Sequence, residues 1–263
     1  MLYLFRCKLP EEDTVRRHVQ RLLTGSAMAT AMAAALSAQV APDTLAASGG
    51  SITITPLNHA TLALAYGKVE ILVDPTPQAH YDGIPKPTHI LVTDIHGDHM
   101  DPKTIAAVKT PTTDVITPAA VAVSVPGATV IANGETKTIG GVSIEAVPMY
   151  NLVRGPSAGQ FFHTKGRGNG YIVTLGGKRI YIAGDTECTP EMKAVTNIDV
   201  AFVPMNLPYT MPPSEAAACV KAFAPKIVYP YHYRGSNLQE FQDALKGTGI
   251  DVRIRDWYAA PKV

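Results

Sequence analysis

From residue 51 the chain breaks into short runs rich in Val, Ile, Leu and Thr, most of them five to seven residues long, with glycine, proline or aspartate turns between them. Runs that short bury apolar side chains only by pairing with one another, so the core has to be built from sheets. Ser51–Thr55, Ala60–Tyr66 and Val69–Val73 predict strands, with Gly67-Lys68 as a hairpin turn. His89–Thr93 is almost wholly apolar and predicts a strand covered on both faces. Pro102–Lys109 predicts a helix, capped by Asp101 and carrying proline at its first position. Asp114–Thr117 and Thr129–Ala132 predict strands, and hairpins are predicted at Gly140-Gly141 and at Gly176-Gly177, the second beginning at Gly170. The last third alternates strand Val200–Val203, helix Ser214–Phe223, strand Ile227–Tyr231, helix Leu238–Leu245 and strand Asp251–Ile254. The mixture predicts an α/β fold, a four-layer αββα sandwich in which helices flank two mixed sheets packed face to face.

Composition narrows the partners. Hydrophobic residues make up 46% of the 263 and charged residues 17%, which excludes a disordered chain. Lys and Arg number 23 against 22 Asp and Glu, so the net charge of +1 offers no footprint for nucleic acid as a main partner. Cys7, Cys188 and Cys219 are too scattered to suggest a disulfide framework or a metal knuckle. A metal site would therefore draw on His and Asp. Residues 1–50 read as an extension: Arg16, Arg17 and Arg21 precede an uncharged, Ala-rich stretch from Leu22 to Pro42 that resembles a secretory signal peptide. Periplasmic or secreted location is the expectation, with a cytoplasmic protein as the alternative, and the stretch is too weakly apolar for a stable membrane span. Residues 51–263 form the expected catalytic body.

Directly after the apolar run His89–Thr93 come Asp94, Ile95, His96, Gly97, Asp98 and His99. Four potential ligands within six residues at a strand end are hard to explain as packing, and His with Asp suits zinc and similar ions. This run resembles the HxHxDH motif of the metallo-β-lactamase superfamily of metal-dependent hydrolases. His163, Asp185 in Ala183-Gly184-Asp185-Thr186, and His232 in Tyr229-Pro230-Tyr231-His232 follow in that superfamily's order. The likeness covers about residues 51 to 258. His59-Ala60-Thr61, Leu72-Val73-Asp74-Pro75 and Gly168–Tyr171 further resemble the branch that includes L-ascorbate-6-phosphate lactonase.

The resemblance implies Asp94, His96 and His163 on one ion, Asp98, His99 and His232 on a second, and Asp185 between them. It implies two zinc ions, with Mn²⁺ or Fe²⁺ as alternatives, because Asp94 stands where the family has its first histidine and brings a harder oxygen ligand. Asp94 either ligates or orients a histidine. Ions about 3.5–4 Å apart would share a water, lower its pKa and so supply a hydroxide nucleophile, with Asp98 aligning it or taking its proton. Among residues that would support a ligand or touch substrate, His59, Asp74, Arg167 and Tyr209 are foremost, and Tyr150, Asn151, Asn206 and Arg234 lie in neighbouring loops. His80 and His89 read as structural. The expected activity is cleavage of an ester, lactone or phosphodiester bond in a small-molecule substrate. An iron-dependent oxidoreductase on the same scaffold and a non-catalytic metal-binding module are the competing readings.

Overall fold

The structure is a computed structural model that describes residues 41–258. The expected leader and Cys7 lie outside the described residues. Two seven-stranded sheets carry the fold. The first runs in chain order through β1 (Asp43–Ala47), β2 (Gly50–Asn58), β3 (Thr61–Tyr66), β4 (Val69–Val73), β5 (His89–Leu91), β6 (Asp114–Thr117) and β7 (Thr129–Val130). The second runs through β8 (Thr136–Ile139), β9 (Val142–Met149), β10 (Gly168–Leu175), β11 (Lys178–Ile182), β12 (Val200–Pro204), β13 (Ile227–Tyr231) and β14 (Asp251–Val252). In each sheet the first four strands pair antiparallel and the last four parallel. The two halves thus share one topology, although no repeat is visible in the sequence.

Strand periodicity explains the layers, because alternate side chains point to opposite faces. In β12, Val200 and Phe202 join the core between the sheets, while Ala201 and Val203 face the helices. Ile52, Leu62, Ile71 and Leu91 of the first sheet meet Tyr171, Ile180, Tyr229 and Tyr231 of the second in that central core. Helices α1 (Pro102–Val108) and α2 (Ala119–Ala122) cover the first sheet, with Ile105, Val108 and Val121 packed among Ile90, Val92 and Val115. Helices α3 (Pro190–Ala194), α4 (Pro213–Phe223) and α5 (Leu238–Ala244) cover the second. The four-layer αββα sandwich is therefore the observed architecture. Asp101 caps α1 as expected, accepting a hydrogen bond from the Thr104 amide at 2.8 Å, with Pro102 opening the helix.

Three expectations are corrected. The sheet begins at Asp43, not at residue 51, because β1 pairs with β2 and Asp43 accepts hydrogen bonds from Arg255 and Tyr229, each at 2.8 Å. Strand β10 begins at Gly168, two residues early, and a Cβ at that glycine would lie 2.9 Å from the Thr93 carbonyl oxygen. Cys188 and Cys219, 31 residues apart in sequence, form a disulfide. The fold brings the segment before α3 against α4, a proximity that spacing does not reveal.

Asp199 joins the starts of three strands: it accepts from Lys226 Nζ at 2.8 Å and from the Arg179 amide at 3.0 Å, and lies 3.6 Å from Lys178 Nζ. Burial pushes its carboxyl up, but these donors outweigh burial and hold it below the usual value. A lowered folded pKa means stabilisation that is present above the unfolded value of about 3.9 and lost as pH falls through the folded one. Asp199→Asn should cost about 1 kcal/mol at pH 7, with urea midpoints of variant and wild type converging as pH falls below the usual carboxylate value.

Candidate metal centre

The expected site residues converge where the strands of the two sheets end. Asp74 follows β4, is fully buried, and accepts three hydrogen bonds: from the Thr93 amide at 2.7 Å, the Thr93 hydroxyl at 2.6 Å and His99 Nδ1 at 2.8 Å. A carboxylate at Nδ1 fixes the tautomer and leaves the Nε2 lone pair of His99 free. Asn151 does the same for His163: its Oδ1 accepts from the His163 amide at 2.7 Å and from Nδ1 at 2.8 Å. The amide nitrogen of Asn151 is in turn held by Glu187 Oε1 at 3.1 Å and the Tyr209 carbonyl at 2.8 Å.

His232 follows β13, and its amide donates to the His59 carbonyl at 3.1 Å. His59, Asp74 and His232 all adopt left-handed backbone, with φ of 49°, 46° and 48°. Such conformations cost of order 1 kcal/mol or more each and persist when the surroundings over-determine them, as at functional sites. Asp185 lies at the centre. Its Oδ2 is 3.3 Å from His99 Nε2 and 3.2 Å from His163 Nε2, and its Oδ1 is 3.3 Å from His232 Nε2. Asp98 Oδ2 is 3.4 Å from His232 Nε2.

These separations match the edge of a tetrahedron, about 3.3 Å for ligands 2.0–2.1 Å from zinc. His99 Nε2, Asp185 Oδ1 and His232 Nε2 are buried and have no hydrogen-bond partner among the described residues. Buried polar atoms are normally paired, so three convergent orphans call for a bound cation. His99, Asp185 and His232 form one candidate ligand group, His59, Asp98 and His232 a second, and Asp94, His96 and His163 a third. Burial pushes the Asp185 carboxyl up, and only imidazolium charge on His232 and His99 would outweigh burial and hold it well below the usual range, as His232 and His59 would for Asp98.

His59 has its own anchor. Tyr258 Oη accepts from the amides of Tyr233 and Arg234, both at 3.0 Å, so its proton is free for His59 Nδ1, 2.6 Å away. His59 Nε2 then carries a hydrogen and donates to Asp98 Oδ2 at 3.2 Å. Asp98, with a side chain 48% exposed, opens onto a cavity of about 370 Å³ lined by Asn58, His59, Gln78, Asn206, Tyr209 and Arg234.

The remaining expected residues divide. Arg167 does not face that cavity. It pairs with the buried Asp94, Nε to Oδ1 at 3.2 Å and Nη2 to Oδ2 at 3.1 Å. Tyr150 donates to Glu191, away from the cluster, and Asn151 supports His163 in place of lining the cavity. His89 is buried and joins the sheets through Nε2 and the Ile139 carbonyl at 3.0 Å, and His80 is exposed outside the cluster. Glu187 and Tyr258 were not expected. Glu187 is buried and accepts from the amides of Leu152, Val153 and Arg154, which shapes the loop that presents Asn151. Its signal in sequence was only its place two residues after Asp185.

Comparison with known proteins agrees with this geometry. A family described as the beta-lactamase superfamily domain matches residues 53–232, which reach from β2 to the last clustered histidine. The UPF0173 metal-dependent hydrolase of Symbiobacterium thermophilum is 32% identical over 229 residues, 79% of this chain and 93% of the relative. A crystal structure from Parabacteroides distasonis, assigned as a metal-dependent hydrolase, is 45% identical with a TM-score of 0.78 and covers 82% of this chain and 99% of its own. Igni18, a metallo hydrolase of Ignicoccus hospitalis, shares the fold at 22% identity and a TM-score of 0.64, over 78% of this chain and 94% of its own.

Asp74→Ala should weaken zinc affinity about 10–100-fold through the loss of His99 orientation, read by competition with a chromophoric chelator. Unchanged affinity would remove Asp74 from the support of the centre.

Proposed function

The chain belongs to the metallo-β-lactamase superfamily of metal-dependent hydrolases, and from that premise we propose that it cleaves an ester, lactone or phosphodiester bond of a small molecule with the help of zinc. The observation that carries the reading is the set of buried, unpartnered ligand atoms on His99, Asp185 and His232. Together with Asp98 they would hold the cation. A divalent ion held there would supply Lewis acidity, making water more acidic and polarising the carbonyl or phosphoryl oxygen under attack.

The chain's own groups do the rest. Asp98 is the exposed carboxylate of the cluster and faces the cavity, so it aligns the attacking water and accepts its proton. The Nε2 hydrogen of His59 keeps that carboxylate turned towards His232. Tyr209 and Arg234 on the cavity wall supply donors for substrate oxygens, and the cavity size suits a small molecule. The arginine stacks over Tyr258 at 5.1 Å, which restrains it at the rim.

Export is the second part of the reading. The Cys188–Cys219 disulfide fits an oxidising compartment, in keeping with the signal-like stretch before residue 43. Intact mass of the native protein checks it: a chain that lacks the leader and is two hydrogens lighter than its dithiol form is expected, and a full-length reduced chain would overturn it.

Activity is tested on a panel of aryl esters, lactones and phosphodiesters after loading with zinc, manganese or iron. Asp98→Asn should lower kcat by about 10²–10⁴ on the cleaved class, and His232→Ala should reduce both metal content and turnover. Equal turnover in His232→Ala and wild type would overturn the hydrolase reading.

A further inference from the structure

We propose that this chain binds a single divalent ion, in the Asp185 group, and that the Arg167 guanidinium takes the place of a second ion beside Asp94. The inference rests on the reading of the cluster as a metal centre and concerns how many ions it holds. The two halves of the cluster differ in what they lack. Around Asp185 the separations are even, 3.2–3.4 Å, and three convergent buried atoms, His99 Nε2, Asp185 Oδ1 and His232 Nε2, have no hydrogen-bond partner among the described residues. Around Asp94 they are uneven: Oδ2 is 2.7 Å from His96 Nδ1 and 3.8 Å from His163 Nε2. Neither Asp94 oxygen is an orphan, because the guanidinium engages both.

Charge separates the halves further. Asp94 is neutralised by a cation that belongs to the chain, in the two-pronged geometry at which arginine excels. Among the described residues, the ion-pair partners of Asp185 and Asp98 are histidines alone. An ion ligated by Asp94 Oδ2 would sit next to the Nη2 nitrogen that is 3.1 Å from the same oxygen, and two cations at that range in a largely buried site repel strongly. Arg167 Nη2 is also 3.5 Å from His96 Nε2, so the guanidinium spans two of the three groups that would form the site. Gly168, packed against the Thr93 carbonyl, and the Asn169 amide, which donates to that oxygen at 2.9 Å, fix the backbone next to Arg167. The arginine is thus delivered by an anchored strand end.

The test is metal stoichiometry on the full chain, stripped with chelator, loaded with excess zinc and desalted, with zinc counted by mass spectrometry against protein by amino-acid analysis. Wild type should hold one ion. Asp94→Ala should still hold one, since Asp94 does not ligate it. Arg167→Met should rise to two, and Arg167→Lys, which keeps the charge, should stay at one. The ion retained by each variant reports that it has folded. Two ions in wild type, loss of the ion in Asp94→Ala, or no gain in Arg167→Met overturns the assignment while the hydrolase reading stands. Wild type that takes up no ion overturns both.

Discussion

The buried carboxylate of Asp74 is the constraint on which the centre depends. It satisfies the Thr93 amide at the end of β5, the Thr93 hydroxyl and the Nδ1 of His99 at once. One side chain therefore ties β4 to the loop after β5, sets the angle at which Asp94–His99 leaves the sheet, and fixes which nitrogen of His99 faces the centre. A buried carboxylate without donors would be costly, and here three donors are convergent, so burial and function support each other. Strain at its left-handed backbone is opposed by its amide, which donates to the Leu91 carbonyl at 2.9 Å, and by its carbonyl, which accepts from the Thr61 hydroxyl at 2.6 Å.

The shared topology of the two halves explains why distant residues meet. Each half ends in parallel strands, and the loops that follow such strands emerge on one side of the sheet. Asp74 and Asp94–His99 follow β4 and β5, while Asp185 follows β11, the counterpart of β4, and His232 follows β13, the counterpart of β6. Face-to-face packing through Leu91, Ile182, Phe202 and Tyr231 then brings the two sets of loops together. The centre is a property of the interface between sheets, and neither half holds a complete ligand set.

Much of this was legible in the sequence because it is local. Short apolar runs and glycine turns marked most strands, and Asp101-Pro102 marked the start of α1. The ligand run after β5 stood out because four donors lie within six residues. What was not legible is non-local. The β1 strand DTLAA alternates half-buried and exposed positions, so its pattern is weak, and its place comes from pairing with β2. Cys188 and Cys219 meet only through the packing of the helical layer on the second sheet. Arg167 pairs with Asp94 across 73 residues, and a loop arginine in sequence carries no sign of the carboxylate it will find. Asn151 was placed only in a neighbouring loop, because orientation of His163 by a side-chain oxygen depends on a loop shaped by Glu187.

Local charge is where the overall tally misleads most. A net charge of +1 conceals four carboxylates, Asp74, Asp94, Asp98 and Asp185, gathered around the clustered histidines. The fold compensates them by different means. Hydrogen bonds from Thr93 and His99 serve Asp74, and the guanidinium of Arg167 serves Asp94. For Asp185 and Asp98 it offers imidazole nitrogens, those of His99, His163 and His59 anchored through Nδ1, which are good ligands for a cation but poor substitutes for one. Folding alone therefore leaves the Asp185 side of the centre electrostatically incomplete, and an added cation would stabilise the folded chain as well as equip it for catalysis. Asp94 adds nothing to that deficit, because its negative charge is paired with the Arg167 guanidinium.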